Sequence, residues 1–526
     1  MRQNAYGEVR LDLGHPVLIP GQGYIYNVAV GKDALMSNVN GDFNTAFGYE
    51  ALQSNLNARA NTAAGCRALQ YNISGNFNSA FGAGALQNNI DGLQNTAIGS
   101  VALGGNYSGS ENTAVGFHAL EIIRSSQNTA IGSEAMEGWH ATGMGQNTAV
   151  GRRALIGDFY NHSSINHNTA IGDAAIGNSN LTGSYNTAVG SQALLWNTTG
   201  QHNIAIGHEA SYFCYAGFGN VAIGKSAFYG GQGSRITAIG YEAMFNGDVL
   251  GGSKYNTAVG YLAMRGSSNQ NNNTGTFNTA LGDASMFENS SGSFNVANGS
   301  SAMYNNTTGS YNTFNGYYAG FNGNHNQSTL IGASIDINTN RTNVSALGYG
   351  ILDAQCTADN QVLLGNTAVT DIRAQVTGIT AYSDARFKTN VSEDVKGLDF
   401  ITRLNPVTYN ENPEVLHQIW GTPDSVLSKM DHTGIKSQRF IGFLAQDVEQ
   451  AAMDCGFEFP GVDVPQNDKE VYALRYVDFI MPMVKSIQEQ QALILQLQSE
   501  NRELKLNAAK FEKEIELIKA FLAKSN

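Results

Sequence analysis

The chain has 526 residues, among them 60 glycines and only 8 prolines, with 14% charged residues and a net charge of −13. That acidic balance, with no basic stripe in view, excludes a nucleic-acid groove, which has to present cations to phosphate. Cys66, Cys214, Cys356 and Cys455 stand far apart without CxxC spacing, so neither a zinc site nor a disulfide framework is indicated. No motif calls for a cofactor.

The first segment, residues 1–24, contains MRQNAYGEVRLDLGHPVLIPGQG and has no apolar h-region. No later stretch reaches membrane-spanning length. This predicts a chain made in the cytoplasm without membrane insertion. The segment is short and is a candidate for attachment to another component.

A repeat array follows over 25–368. Its motif is Asn-Thr-Ala-x-Gly-x-x-Ala-Leu, as in Asn44–Leu52, Asn112–Leu120 and Asn186–Leu194. Twenty repeat glycines run from Gly31 to Gly365, and 10 of the 19 steps between them are 17 residues, the rest falling between 16 and 22. Regularity over that length means a solenoid. Each repeat reads as a short strand followed by a glycine turn with positive φ. In NTAFG, Thr45 and Phe47 share one face and Asn44 and Ala46 the other. Ala46 and Phe47 are both apolar, so both faces want burial. One face fills the coil interior; the other needs a neighbour, and a small alanine there would let a second backbone come close. Asparagines such as Asn44, Asn95 and Asn112 are expected to stack in a ladder. At ~4.8 Å per coil, twenty coils would make a rod roughly 90 Å long.

This motif resembles the head repeats of trimeric adhesins and the shafts of phage tail fibres, and the resemblance implies a parallel homotrimer. The longest gaps follow Gly132, Gly151, Gly240 and Gly260. They carry Trp139 with His140 and Tyr160 with His162, which are candidate contacts to a host glycan or protein, or simply loop caps. The end of the rod near 340–382 is an equal candidate.

Composition changes sharply at Ser383. Residues 1–382 hold 54 glycines and 35 charged side chains; residues 383–526 hold 6 and 38. Residues 369–382 read as a neck. Then come Tyr382–Asn390 (YSDARFKTN), Leu404–Asn410 (LNPVTYN), Phe440–Gln450 (FIGFLAQDVEQ) and Ala473–Gln490. In this order they resemble the intramolecular chaperone auto-processing domain at the C-termini of phage endosialidases and tail fibres, of which a relative occurs in the myelin regulatory factor of animals. The resemblance implies that Ser383 is a nucleophile and Lys388 its general base, that the bond cut adjoins Ser383, and that the domain trimerises. Asp384, Arg386 and Asn390 are supporting residues.

A serine hydroxyl needs a base to become a nucleophile, and lysine serves when burial or nearby positive charge disfavours its ammonium. Arg386 either supplies that charge or pairs with Asp384. Five residues apart, Ser383 and Lys388 would diverge on a strand or a helix, so a turn or a contact between chains has to join them. Taken alone, such a pair is an ordinary surface coincidence.

The tail, 485–526, carries heptads. Position a takes Ile487, Ile494, Asn501, Ala508, Ile515 and Leu522; position d takes Gln490, Leu497, Leu504, Phe511 and Ile518. Glu500 with Lys505 and Glu514 with Lys519 fit the flanking positions of a parallel coiled coil. The competing reading is a lone amphipathic helix lying on its own domain.

The predicted fold is therefore mainly β. A trimeric β-solenoid of the β-roll type, with ~17 residues per coil, precedes a small α+β chaperone domain at 383–484 and a coiled-coil helix. By resemblance the chain is a virion tail fibre or appendage subunit that joins a baseplate or tail component and contacts a host surface. Its only chemistry would be single-turnover autoproteolysis. A tailspike depolymerase would need paired carboxylates in a cleft, which the sparse acids and short gaps disfavour. A bacterial surface adhesin would need an export signal, and an ice-binding solenoid a Thr-x-Thr ladder.

Overall fold

The computed structural model describes residues 26–138, 145–157, 165–177, 181–247, 251–369, 372–373, 375, 381–422, 427 and 432–524. The candidate attachment segment 1–24 lies outside these, as do Trp139, His140, Tyr160 and His162. The chain divides into two compact units at Gly365–Asn366.

In the first unit, twenty three-residue strands, from Val28–Val30 to Val362–Leu364, form one parallel sheet. Each strand pairs in register with the equivalent strand one coil on: Thr45 opposes Thr62, Ala46 opposes Ala63 and Phe47 opposes Ala64. A strand this short has one side chain facing in and two facing out. The inward one is alanine in seventeen of the twenty strands, and Phe314, Leu330 or Leu363 in the other three. Ala46, Ala63, Ala80 and Ala97 are fully buried, whereas Phe47 is 59% exposed. The placement of alanine on the neighbour-facing side is thus corrected: alanine lines the coil interior, and the Thr-x-Phe/Ile/Val face is the outer one.

The cause is the narrowness of the coil. Leu52 and Ala51 enter from the opposite wall and are themselves fully buried, leaving room for little more than a methyl group from the strand. One of the exceptions shows the same rule. Where Gly320 replaces the repeat leucine, Phe314 replaces the strand alanine, and a Cβ on Gly320 would lie 2.0 Å from the Phe314 ring.

The repeat glycine is fixed by the neighbouring coil as well as by its backbone. Gly48 has φ +142°, and a Cβ there would sit 2.4 Å from the carbonyl oxygen of Gly65. Coils can therefore approach closely enough for Gly65 N–H to donate to Phe47 O at 2.8 Å.

The expected asparagine ladder is present. Asn61 N–H donates to Asn44 Oδ1 at 3.0 Å, Asn78 N–H to Asn61 Oδ1 at 2.9 Å and Asn95 N–H to Asn78 Oδ1 at 2.9 Å, all buried. A second ladder runs through the turns, with Asn72 Nδ2 donating to Asn55 Oδ1 at 3.1 Å and Asn89 Nδ2 to Asn72 Oδ1 at 2.7 Å. These amides satisfy backbone groups that a three-residue strand leaves without partners.

The second unit packs Phe400, Val448, Ala451, Ala452 and Phe479 into a small core, with Phe443, Phe457 and Phe459 against it. Strand Val407–Tyr409 pairs antiparallel with Phe440–Gly442, and helix Ala445–Asp454 follows. The chain ends in the 45-residue helix Ile480–Lys524. Leu398 N–H donates to Glu489 at 2.6 Å, tying the helix Leu398–Ile401 to the first turns of the long one. From Gln491 to Lys524 every residue is exposed, so the heptad seam does not lie on its own domain. Among the described residues no helix is long and apolar enough to cross a membrane.

Candidate functional site

Ser383 and Lys388 are brought together by one tight turn. Residues Ala385–Phe387 form a single turn of 3-10 helix. Asp384 caps it, its Oδ1 accepting from Arg386 N–H at 2.9 Å. Lys388 N–H closes the turn on Ala385 O at 3.2 Å. Three residues per turn return the chain over its own start. The Lys388 ammonium thereby donates to Ser383 Oγ at 2.6 Å. Of the two ways to join these residues, this is the turn within one chain.

Arg386 is committed to Asp384. Its Nε and Nη2 donate to Oδ2 at 2.9 and 2.6 Å. The guanidinium holds the Asp384 carboxyl below the usual carboxylate range. Arg386 therefore clamps the turn and does not stand as a free cation beside Lys388. Asn390 takes φ +54°, a left-handed conformation that asparagine tolerates, and turns the chain away after Lys388. All of residues 381–390 are exposed in the single chain.

Elsewhere in the same unit, the GFLAQD segment has a structural reason for its glycine. Tyr476 Oη accepts from Phe443 N–H at 3.0 Å, and a Cβ on Gly442 would fall 2.2 Å from that hydroxyl oxygen.

A pair of buried histidines escaped the sequence reading. His417 is 1% exposed; its Nε2 lies 3.0 Å from Thr367 Oγ1 and its Nδ1 3.1 Å from Thr422 Oγ1, with the His432 ring stacked at 5.4 Å. Burial, then His432, pushes the His417 pKa down. Thr367 is fifty residues away, so no local pattern announces the contact. A second group, His118 with Glu121 and Glu137, was legible only through the repeat, because Glu137 occupies the place of Glu121 one coil on.

Residues 383–458 match a family model described as chaperone of endosialidase, and the match opens at Ser383. The chain is thus a repeat β-solenoid whose C-terminal unit is similar, over residues 383–458, to the chaperone-of-endosialidase family. No curated protein matches the chain.

Proposed function

We propose that three parallel copies of this chain form a virion tail fibre or similar appendage, that the C-terminal domain sets their register, and that this domain then cuts the bond beside Ser383 and is released. The observation carrying this reading is the 2.6 Å contact from Lys388 Nζ to Ser383 Oγ at the first residue of the family match.

Two apolar surfaces support assembly. On the solenoid, Phe47, Phe81, Ile98, Ile131 and Leu281 repeat at one outward strand position and are 41–59% exposed. On the long helix, Ile494, Leu497, Leu504, Phe511 and Ile515 are 47–66% exposed along one heptad seam. Continuous apolar surface of this kind marks an interface.

The chemistry follows from the dyad. Neutral Lys388 takes the Ser383 hydroxyl proton as Oγ adds to the carbonyl of the scissile bond. The C–N bond then breaks, the proton passes to the leaving amine, and an ester remains that water hydrolyses, freeing the hydroxyl. An ammonium gives up its proton when it is desolvated. Ser383 and Lys388 are exposed in one chain, so in this reading the desolvation comes from the packing of further chains. Cleavage would then report completed assembly.

Register is the reason for such a check. Every coil resembles the next, so a slip by one repeat costs little locally, and long-range pairing is slow. Once cut, the fibre is trapped kinetically. The exposed solenoid would then contact a host-surface glycan or protein. Native and denaturing mass measurements on the expressed chain test the assembly: a three-chain solenoid product with two fragments per chain is expected, and an uncut single chain would refute it.

A further inference from the structure

The position five residues after the repeat glycine carries side chains that touch from one coil to the next along several stretches of the solenoid. In the early coils it is an amide ladder: Gln70 Nε2 donates to Gln53 Oε1 at 3.0 Å and Gln87 Nε2 to Gln70 Oε1 at 2.9 Å. Amides suit such a ladder because each carries both donor and acceptor. At Glu121 and Glu137 the same rung holds two acids on successive coils, and ionised carboxylates only accept.

His118 enters this break from two residues after Gly116. Its Nδ1 is 2.5 Å from Glu121 Oε2 and 3.7 Å from Glu137 Oε1. One ligand atom from each of the three side chains lies within 4.8 Å of the others. The side chains are only 17–27% exposed. Arg153 is engaged with Glu134 at 3.2 Å.

We propose that His118 Nδ1 and the carboxylates of Glu121 and Glu137 bind one divalent transition-metal cation of the zinc type, tying two successive coils together. One imidazole with two carboxylates is a zinc-type donor set, whereas calcium and magnesium prefer oxygen alone. Ligand atoms on a tetrahedral zinc stand about 3.4 Å apart, a small side-chain adjustment from the present spread. Water completes the coordination. The ion would replace the donor that the amide ladder supplies in the early coils.

The test uses the untagged full-length protein, titrated calorimetrically with zinc(II), with magnesium(II) as control. One zinc per chain is expected in wild type. His118→Gln and Glu137→Gln should each weaken binding at least tenfold, with unchanged thermal unfolding in EDTA. Glu137→Gln restores the amide chemistry of the rung and so keeps the fold intact. No zinc binding by wild type, or equal binding by wild type and both variants, would overturn the proposal.

Discussion

Lys388 reaches the Ser383 hydroxyl at 2.6 Å because Asp384, between them in sequence, caps the single 3-10 turn that folds one back on the other. Asp384 is therefore a positioning residue in the proposed reaction. Removing its side chain takes away the cap on Arg386 N–H and the clamp on the guanidinium, leaving the hydroxyl and ammonium in place but loosely held. An N-cap is worth about 1 kcal/mol, so Asp384→Ala should slow self-cleavage about fivefold without abolishing it. Asp384→Asn keeps the cap and should sit closer to wild type. Time courses of fragment appearance separate these outcomes.

Two glycines should behave oppositely. Gly99 has φ +132°, and a Cβ there would lie 2.4 Å from Gly116 O, so Gly99→Ala separates two coils and should cost more than ~3 kcal/mol or prevent soluble expression. Gly219 has φ +65° with nothing within 4 Å of an added Cβ, and the equivalent place in neighbouring coils holds Tyr185 and His202 at positive φ. Gly219→Asn should be neutral within about 0.5 kcal/mol. Thermal unfolding of both variants decides this.

The asparagine ladder is a stability feature with a definite cost. Asn95 Nδ2 donates to Gly109 O at 2.8 Å and its Oδ1 accepts from Asn112 N–H at 3.0 Å, both buried. Asn95→Leu would strand both groups, at about 1–3 kcal/mol each. A drop of more than 2 kcal/mol is expected in denaturant unfolding, against almost none for Asn40→Ala on the exposed Asn40–Asn57 contact.

Acid should weaken the solenoid near its end. His325 stands where earlier coils have a turn glycine such as Gly309, beside Gly323, which takes the place of a ladder asparagine; it is 1% exposed and has its Nε2 3.0 Å from Ile337 O and 3.2 Å from Asn322 O. Burial pushes its pKa down; the carbonyls and Asp353 act in the opposite direction, and Arg341 adds to burial. The unfolded chain therefore takes up a proton first as pH falls below about 6.5. Stability from this group is present above that pH and declines beneath it, by at most about 1.4 kcal/mol per pH unit, levelling off below the folded pKa. His325→Asn should flatten the loss between pH 7 and 5, read as the shift in unfolding temperature.

The solenoid was legible because its glycines recur at a nearly fixed spacing, and the spacing is a direct consequence of coil stacking. The inner face was not legible, because Ala46 and Phe47 are both apolar and hydrophobicity alone does not rank them. Size decided it: the coil has room for a methyl group opposite Leu52. Ser383 and Lys388 were found through the motif order around them, and the spacing of five alone predicted only that a turn or a second chain had to intervene. The turn itself was written in Asp384, whose capping role emerges once its partner Arg386 N–H is seen. His417 and Thr367 left no trace, since their contact spans fifty residues and two unrelated segments.

The central claim is that the chain cuts itself, and intact mass under denaturing conditions tests it most directly. Wild type, Ser383→Ala and Lys388→Ala are expressed in a bacterial cytoplasm and compared. Two wild-type fragments meeting beside Ser383, with both variants at full length, is the predicted result. An uncut wild-type chain that nevertheless forms a soluble trimer would contradict it and leave the C-terminal domain as a retained cap.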